Sequence, residues 1–103
     1  TTMLILKLLE GCDMYGYQMI EELEKRSENV FTLKAGTLYP LLHTLEQQGI
    51  VESYDKLSEN DRARKYYSIT KKGKEHFIEK KAEWMNYSAV INKVLGGSCY
   101  VNA

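Results

Sequence analysis

Apolar residues recur at two different periods along this chain, and the switch between them divides it. Leu4, Ile5, Leu8 and Leu9 predict a first short helix, interrupted by Gly11, Cys12 and Asp13. A second helix is expected from about Tyr15 to Arg26, with Gly16, Met19, Ile20 and Leu23 on one face and Glu21, Glu22, Glu24 and Lys25 mostly outside. In "KAGTLYPLLHTLEQQG", Lys34 to Gly49, the residues Leu38, Leu41, Leu42 and Leu45 keep the i, i+3, i+4, i+7 spacing of a third helix, which Gly49 stops. The period then falls to two. Val51 to Leu57 and Arg64 to Ile69 are β-branched and aromatic runs separated by Ser58, Glu59, Asn60 and Asp61, the pattern of a two-stranded hairpin. Thr70 is placed to cap a long final helix running to about Leu95, with Gly96 and Gly97 as its stop.

Helix, helix, helix, strand, strand, helix is an α+β order, mainly α. It fits a winged helix-turn-helix over residues 1–70, followed by an appended long C-terminal helix and tail over residues 71–103. A small α+β domain that merely shares this order is the competing interpretation. The residues inside the elements bear on that choice.

At 100° per residue the four leucines of the third helix take its buried side, and the opposite side carries Gly36, Pro40, His43 and Gln47, flanked by Tyr39 and Thr44. That face is polar, compact and nearly free of charge. A solvated face normally carries Glu and Lys, whereas a surface entering a DNA groove benefits from short hydrogen-bonding groups and close backbone approach. His43 and Gln47 are the residues best placed to reach base edges. Gly36 and Pro40 are costly at a helix start. They are explained either by close approach of the helix N-terminus to a partner or by a buried loop-to-helix corner that needs their shape. Charge comes from elsewhere: Arg62, Arg64 and Lys65 cluster in the second half of the hairpin, Lys34 precedes the third helix, and Lys71, Lys72 and Lys74 follow the strand. Basic residues outnumber acidic ones from Lys34 to Lys74, while the first 33 residues are net acidic. The distribution suits phosphates at a wing and a recognition-helix start; a solvated loop would carry similar charge.

Composition removes several function classes. A chain of 103 residues can bury one modest core but not a deep enzyme cleft as well. No Ser, His and Asp set, phosphate-cradling glycine loop or carboxylate pair suggests catalysis. With 14 basic and 14 acidic residues, the whole-chain balance favours no partner. Cys12 and Cys99 lie far apart without a CxxC, which indicates neither a disulfide framework nor a zinc site, and suits a reduced cytoplasmic setting. No metal or cofactor is expected. No apolar run approaches a membrane span, and no signal-peptide pattern opens the chain. The chain begins at Thr1 inside an apolar stretch, so natural residues ahead of it are expected. Neutral charge also leaves open a winged-helix protein-interaction module that does not bind DNA.

The last helix repeats Phe77, Trp84 and Ile91 seven apart, with Ile78, Met85, Val94 and Leu95 beside them. Nothing in the preceding residues is large enough to cover so broad a stripe, so a second copy of the chain is the expected cover, packing also against the first helix through Leu4 and Leu8. Packing back over its own winged helix is the alternative. Strand alternation separates Tyr67 and Ile69 from Tyr66 and Ser68, predicting one tyrosine in the core and one partly exposed. His76 reads as a surface residue.

Three blocks, "LLEGCDMYGYQMIEELE", "GTLYPLLHTLEQQGIVES" and "RARKYYSITKKG", resemble the signature segments of PadR-type transcriptional regulators, in order and at matching separations. The most specific parts are GTLYP, Gly36 to Pro40, and YYSIT, Tyr66 to Thr70; the likeness extends from Leu4 to about Leu95. The short length and single C-terminal helix resemble the smaller subgroup. The resemblance implies a homodimeric repressor that binds double-stranded operator DNA through its third helix and wing and dimerises through its last helix. By position, Thr37, Tyr39 and the wing bases Arg62 to Lys65 match DNA-contacting residues. Trp84, eleven residues beyond Gly73, resembles a tryptophan near the two-fold axis of the short PadR-type proteins. Two such indoles could hold a planar aromatic effector, with Lys81 and Ser88 serving its polar groups. Alternatively, Trp84 only fills the interface.

Overall fold

The computed structural model describes residues 1–96. Its elements are α1 (Thr2–Gly11), β1 (Met14–Tyr15), α2 (Gly16–Arg26), α3 (Ala35–Gln47), β2 (Val51–Leu57), β3 (Ala63–Ile69) and α4 (Lys71–Gly96). Gly97 and Cys99 lie outside the described residues. The fold is α+β and mainly helical, with the expected helices and hairpin. The periodicity did not reveal β1. Two residues are too few to show a period, yet Met14 and Tyr15 pair antiparallel with Tyr67 and Tyr66, making a three-stranded sheet of order β1-β3-β2.

The core lies between α1, α2 and α3 and one face of the sheet. Ile5, Leu6, Leu8 and Leu9 meet Met19, Leu38, Leu42, Leu45, Val51, Tyr67 and Phe77 there, while Leu41 is only partly buried. Side chains at these positions fall on single stripes, so burying each face satisfies the period that wrote it.

The helix ends follow from local chemistry. Gly49 adopts φ 75°, the left-handed conformation that ends α3, with Ile50 N–H donating to Leu45 O at 2.9 Å and Gly49 N–H to Glu46 O at 3.0 Å. The same pair of bonds ends α2, where Asn29 N–H donates to Glu24 O at 2.8 Å and Glu28 N–H to Lys25 O at 3.3 Å. Here two non-glycine residues, Glu28 and Asn29, hold φ of 52° and 66°. Thr70 caps α4 as expected: Gly73 N–H donates to its Oγ1 at 3.0 Å, and that hydroxyl also lies 2.6 Å from Gly49 O and 2.9 Å from Ile50 O. One threonine thus ties the start of α4 to the end of α3. Gly73 completes the joint, because a Cβ there would collide with the Ile50 carbonyl and lie 2.8 Å from Ile69 Cγ1.

Beyond that joint α4 leaves the body. Only Gly73 and Phe77 of its 26 residues are buried, and the molecule extends 67 × 29 × 22 Å.

The two-tyrosine expectation needs correction. Both rings are buried, Tyr67 at 5 % and Tyr66 at 9 % exposure. They do take opposite faces, but the outer face is not open at Tyr66. Tyr15 meets that ring edge-on at 5.4 Å, Tyr54 stacks on it at 5.8 Å, and the Lys56 ammonium lies 5.3 Å from its centroid. Alternation assigns the face; cross-strand neighbours decide whether it is wet.

Candidate nucleic-acid interface

Lys34 is the N-cap of α3, and Ala35 its first residue, so Pro40 sits just beyond the first turn. Proline supplies no N–H to Gly36 O, four residues back. Gly36, Thr37, Tyr39, Pro40, His43, Thr44 and Gln47 are all exposed, as their placement on the outer face predicts. A Cβ built on Gly36 meets nothing within 4 Å, so its own chain does not require glycine there. Tyr39 has a second attachment: a Cβ on Gly16 would lie 2.6 Å from its Cζ and 2.9 Å from its Cε1, so the ring rests on the first residue of α2. It remains 41 % exposed. The Thr44 hydroxyl donates to Pro40 O at 3.1 Å, back into the helix.

The wing closes at Ser58, whose N–H donates to Arg62 O at 2.8 Å; Asp61, at φ 57°, makes the turn. Arg62 stands exposed at its end. The next two bases part company. The Arg64 guanidinium lies 4.8 Å over the Tyr15 ring, with its Nε buried and unpartnered. Lys65, on the sheet face toward α3, has its Nζ 3.8 Å from Glu46 Oε1 and 5.7 Å from the Tyr67 centroid. Lys56, directly across from Arg64, joins the same face as Arg64. Sequence reasoning overlooked Lys56, which only the hairpin register places among the wing bases. Of the lysines after the strand, Lys72 is engaged, donating to Gln48 O at 2.8 Å at the end of α3.

Two tyrosines of the wing titrate high. A hydrogen bond from Tyr54 Oη to Asp13 Oδ2 at 2.6 Å is the main cause that pushes the Tyr54 phenol up to about 12. Burial is the main cause that raises Tyr67.

The apolar stripe of α4 lies open. Ile78, Trp84, Met85, Ile91 and Leu95 are exposed, and so are Tyr87, Val90 and Val94; Tyr87 and Val90 were not among the expected interface residues. Leu8 and Phe77 differ from that expectation, being 2 % and 3 % exposed in the chain's own core. They are on the right stripe, but α1 and the foot of α4 cover each other and leave them no surface to share. Leu4 is partly buried. Around Trp84, Lys81 and Ser88 fall into separate hollows: Lys81 into one of ≈ 290 Å³ with Met3 and Phe77, Ser88 into one of ≈ 450 Å³ with Tyr87 and Ile91. A third hollow, ≈ 700 Å³, joins Trp84 and Tyr87 to Thr44 of α3 and to Gln48 just beyond it, and the partly buried His76 lines it.

Among the described residues, no three His, Cys, Asp or Glu side chains gather as metal ligands, and no helix is long and apolar enough to cross a membrane.

Three packed helices, the third with an exposed and uncharged outer face, and a β-hairpin wing beside it define a winged helix-turn-helix fold. The chain belongs to the PadR-like family of transcriptional regulators, whose pattern matches residues 5–79. It is 34 % identical over 94 residues to an uncharacterised protein of Lysinibacillus sphaericus, spanning 91 % of this chain and 86 % of that one. The structure is similar to a PadR-like transcriptional regulator from Bacillus cereus, with TM-score 0.84 and 32 % identity over 94 % of this chain and 92 % of that one. It is also similar to a PadR family transcription regulator from Clostridium difficile, with TM-score 0.79 and 35 % identity over 91 % and 96 % of the two chains.

Proposed function

We propose that this PadR-like regulator is a homodimeric, sequence-specific DNA-binding repressor, released from its operator by a small-molecule effector. Residues 1–70 are its DNA-binding domain, and the helix from Lys71 onward is its dimerisation element. The observation that carries this reading is the outer face of α3. It is exposed and uncharged, and at Gly36 it offers open backbone that no internal contact requires. Such a face is poorly suited to solvent and well suited to a major groove, with His43 and Gln47 toward base edges and Lys34 and Arg62 toward phosphates. The exposed stripe of α4 supports dimerisation through a second α4, because its apolar side chains have no cover among the described residues. The hollows around Trp84 support the effector assignment, a planar aromatic molecule held by the indole.

Selection of bound duplexes from a random pool tests the DNA reading, with His43→Ala selected in parallel. The wild type should enrich a two-fold symmetric site with half-sites about one helical turn apart. The variant should change preference by ~1 to 3 kcal/mol at one position per half-site. No enrichment by the wild type refutes sequence-specific binding; unchanged preference in the variant removes His43 from the reading set.

A further inference from the structure

Glu46 is the only charged side chain within α3. An acid on a helix that meets DNA repels phosphates, so its presence there calls for a separate contribution. Its carboxylate supplies one by reaching the wing. Ser53 Oγ of β2 donates to Glu46 Oε2 at 2.5 Å, a short charge-assisted bond, and Lys65 Nζ of β3 lies 3.8 Å from Oε1. The lysine contact is long and largely solvated, so the serine bond dominates. Glu46 sits on the flank of α3, one residue beyond buried Leu45 and three beyond exposed His43. Ser53 and Lys65 share the sheet face turned toward α3, Ser53 across from Tyr67 and Lys65 across from Asp55. The bond therefore links α3 directly to β2.

We infer that Glu46 is a positioning residue: through Ser53 it sets the angle between the third helix and the wing, and so the fit of both to one operator half-site. This rests on the DNA-binding reading above, and the test separates the two.

Charge alone and positioning predict opposite signs. If Glu46 acted only as a charge, Glu46→Ala would tighten binding to every duplex equally. As a strut, its loss should tighten binding to a random-sequence duplex yet weaken binding to the selected operator by about tenfold. Ser53→Ala, which changes no charge, should weaken operator binding similarly and leave random-duplex affinity within about twofold. Glu46→Gln keeps an acceptor for the serine hydroxyl and should preserve the ratio of operator to random affinity, a rescue by the conservative variant. Hydrogen exchange on the free protein gives a readout independent of DNA. Ser53→Ala and Glu46→Ala should speed exchange of the wing amides from Asp55 to Arg64 and leave α1 and α2 unchanged. Equal tightening of both duplexes by Glu46→Ala, or an unchanged affinity ratio in Ser53→Ala, overturns the positioning role. If the wild type prefers no duplex, the DNA reading fails by itself, and unchanged wing exchange in both variants then refutes the strut as well.

Discussion

Arg62 and Arg64 are two residues apart, both basic and both in the wing, yet the structure separates their chemistry. Arg62 is exposed at the turn, whereas the Arg64 guanidinium covers the Tyr15 ring at 4.8 Å. A phosphate contact appears in the salt dependence of binding, with a slope in log K against log salt of about −0.9 per phosphate neutralised. With Lys34, Arg62 and Lys65 in both subunits of a dimer, six contacts give a slope of roughly −5; adding Arg64 would bring it to roughly −7. Arg62→Ala should therefore flatten the slope by about 2 and reduce the affinity lost between about 50 and 200 mM salt by roughly tenfold. It should weaken operator and random duplexes alike, since phosphate contacts position without specifying. Arg64→Ala should leave the slope unchanged. Its effect belongs to stability: loss of the cation–π contact costs about 1 kcal/mol, a fall of several degrees in Tm for a chain this size. Fluorescence anisotropy of a labelled operator across a salt series, with a thermal melt of each variant, measures both quantities. A slope flattened as much by Arg64→Ala as by Arg62→Ala, with no change in Tm, would mean that the guanidinium leaves Tyr15 for DNA and that the reasoning is wrong.

Gly73→Ala should destabilise the fold by about 2 to 3 kcal/mol, because the added methyl meets the Ile50 carbonyl, which also accepts from Thr70 N–H at 3.1 Å and cannot withdraw freely; an unchanged Tm would show that α4 can shift on the sheet at little cost. Trp84→Ala should abolish fluorescence quenching by planar aromatics and their effect on DNA binding while leaving a dimer in sedimentation; a monomeric variant would make Trp84 packing alone. Tyr54, held protonated by its bond to Asp13, should ionise near 12 when followed by ultraviolet absorbance. Its folded-state value exceeds the ordinary tyrosine value of about 10, so its contribution to stability is complete below pH 10 and lost as pH rises from there toward 12; Asp13→Ala, which leaves no acceptor for the phenol, should remove the largest cause of the shift and bring the titration down.

The element order was legible in the sequence because helix and strand periods are local properties. Leu38, Leu42 and Leu45 mark the buried side of α3 whatever they pack against, and Gly49 and Thr70 mark its end and the start of α4 through backbone chemistry within a few residues. The same locality placed Gly36, His43 and Gln47 outside. Occupancy of each face was decided only in three dimensions. Leu8 and Phe77 carry the pattern of an interface, but the chain folds them onto each other's elements and buries them in one subunit. Tyr66 alternates outward and is nevertheless covered, since Tyr15 and Tyr54 arrive from strands that flank β3. Strand alternation separates Arg64 from Lys65, yet only the sheet pairing brings one to an aromatic ring and the other to Glu46. A period records which residues turn the same way; what meets them depends on contacts between residues tens of positions apart, which tertiary packing supplies.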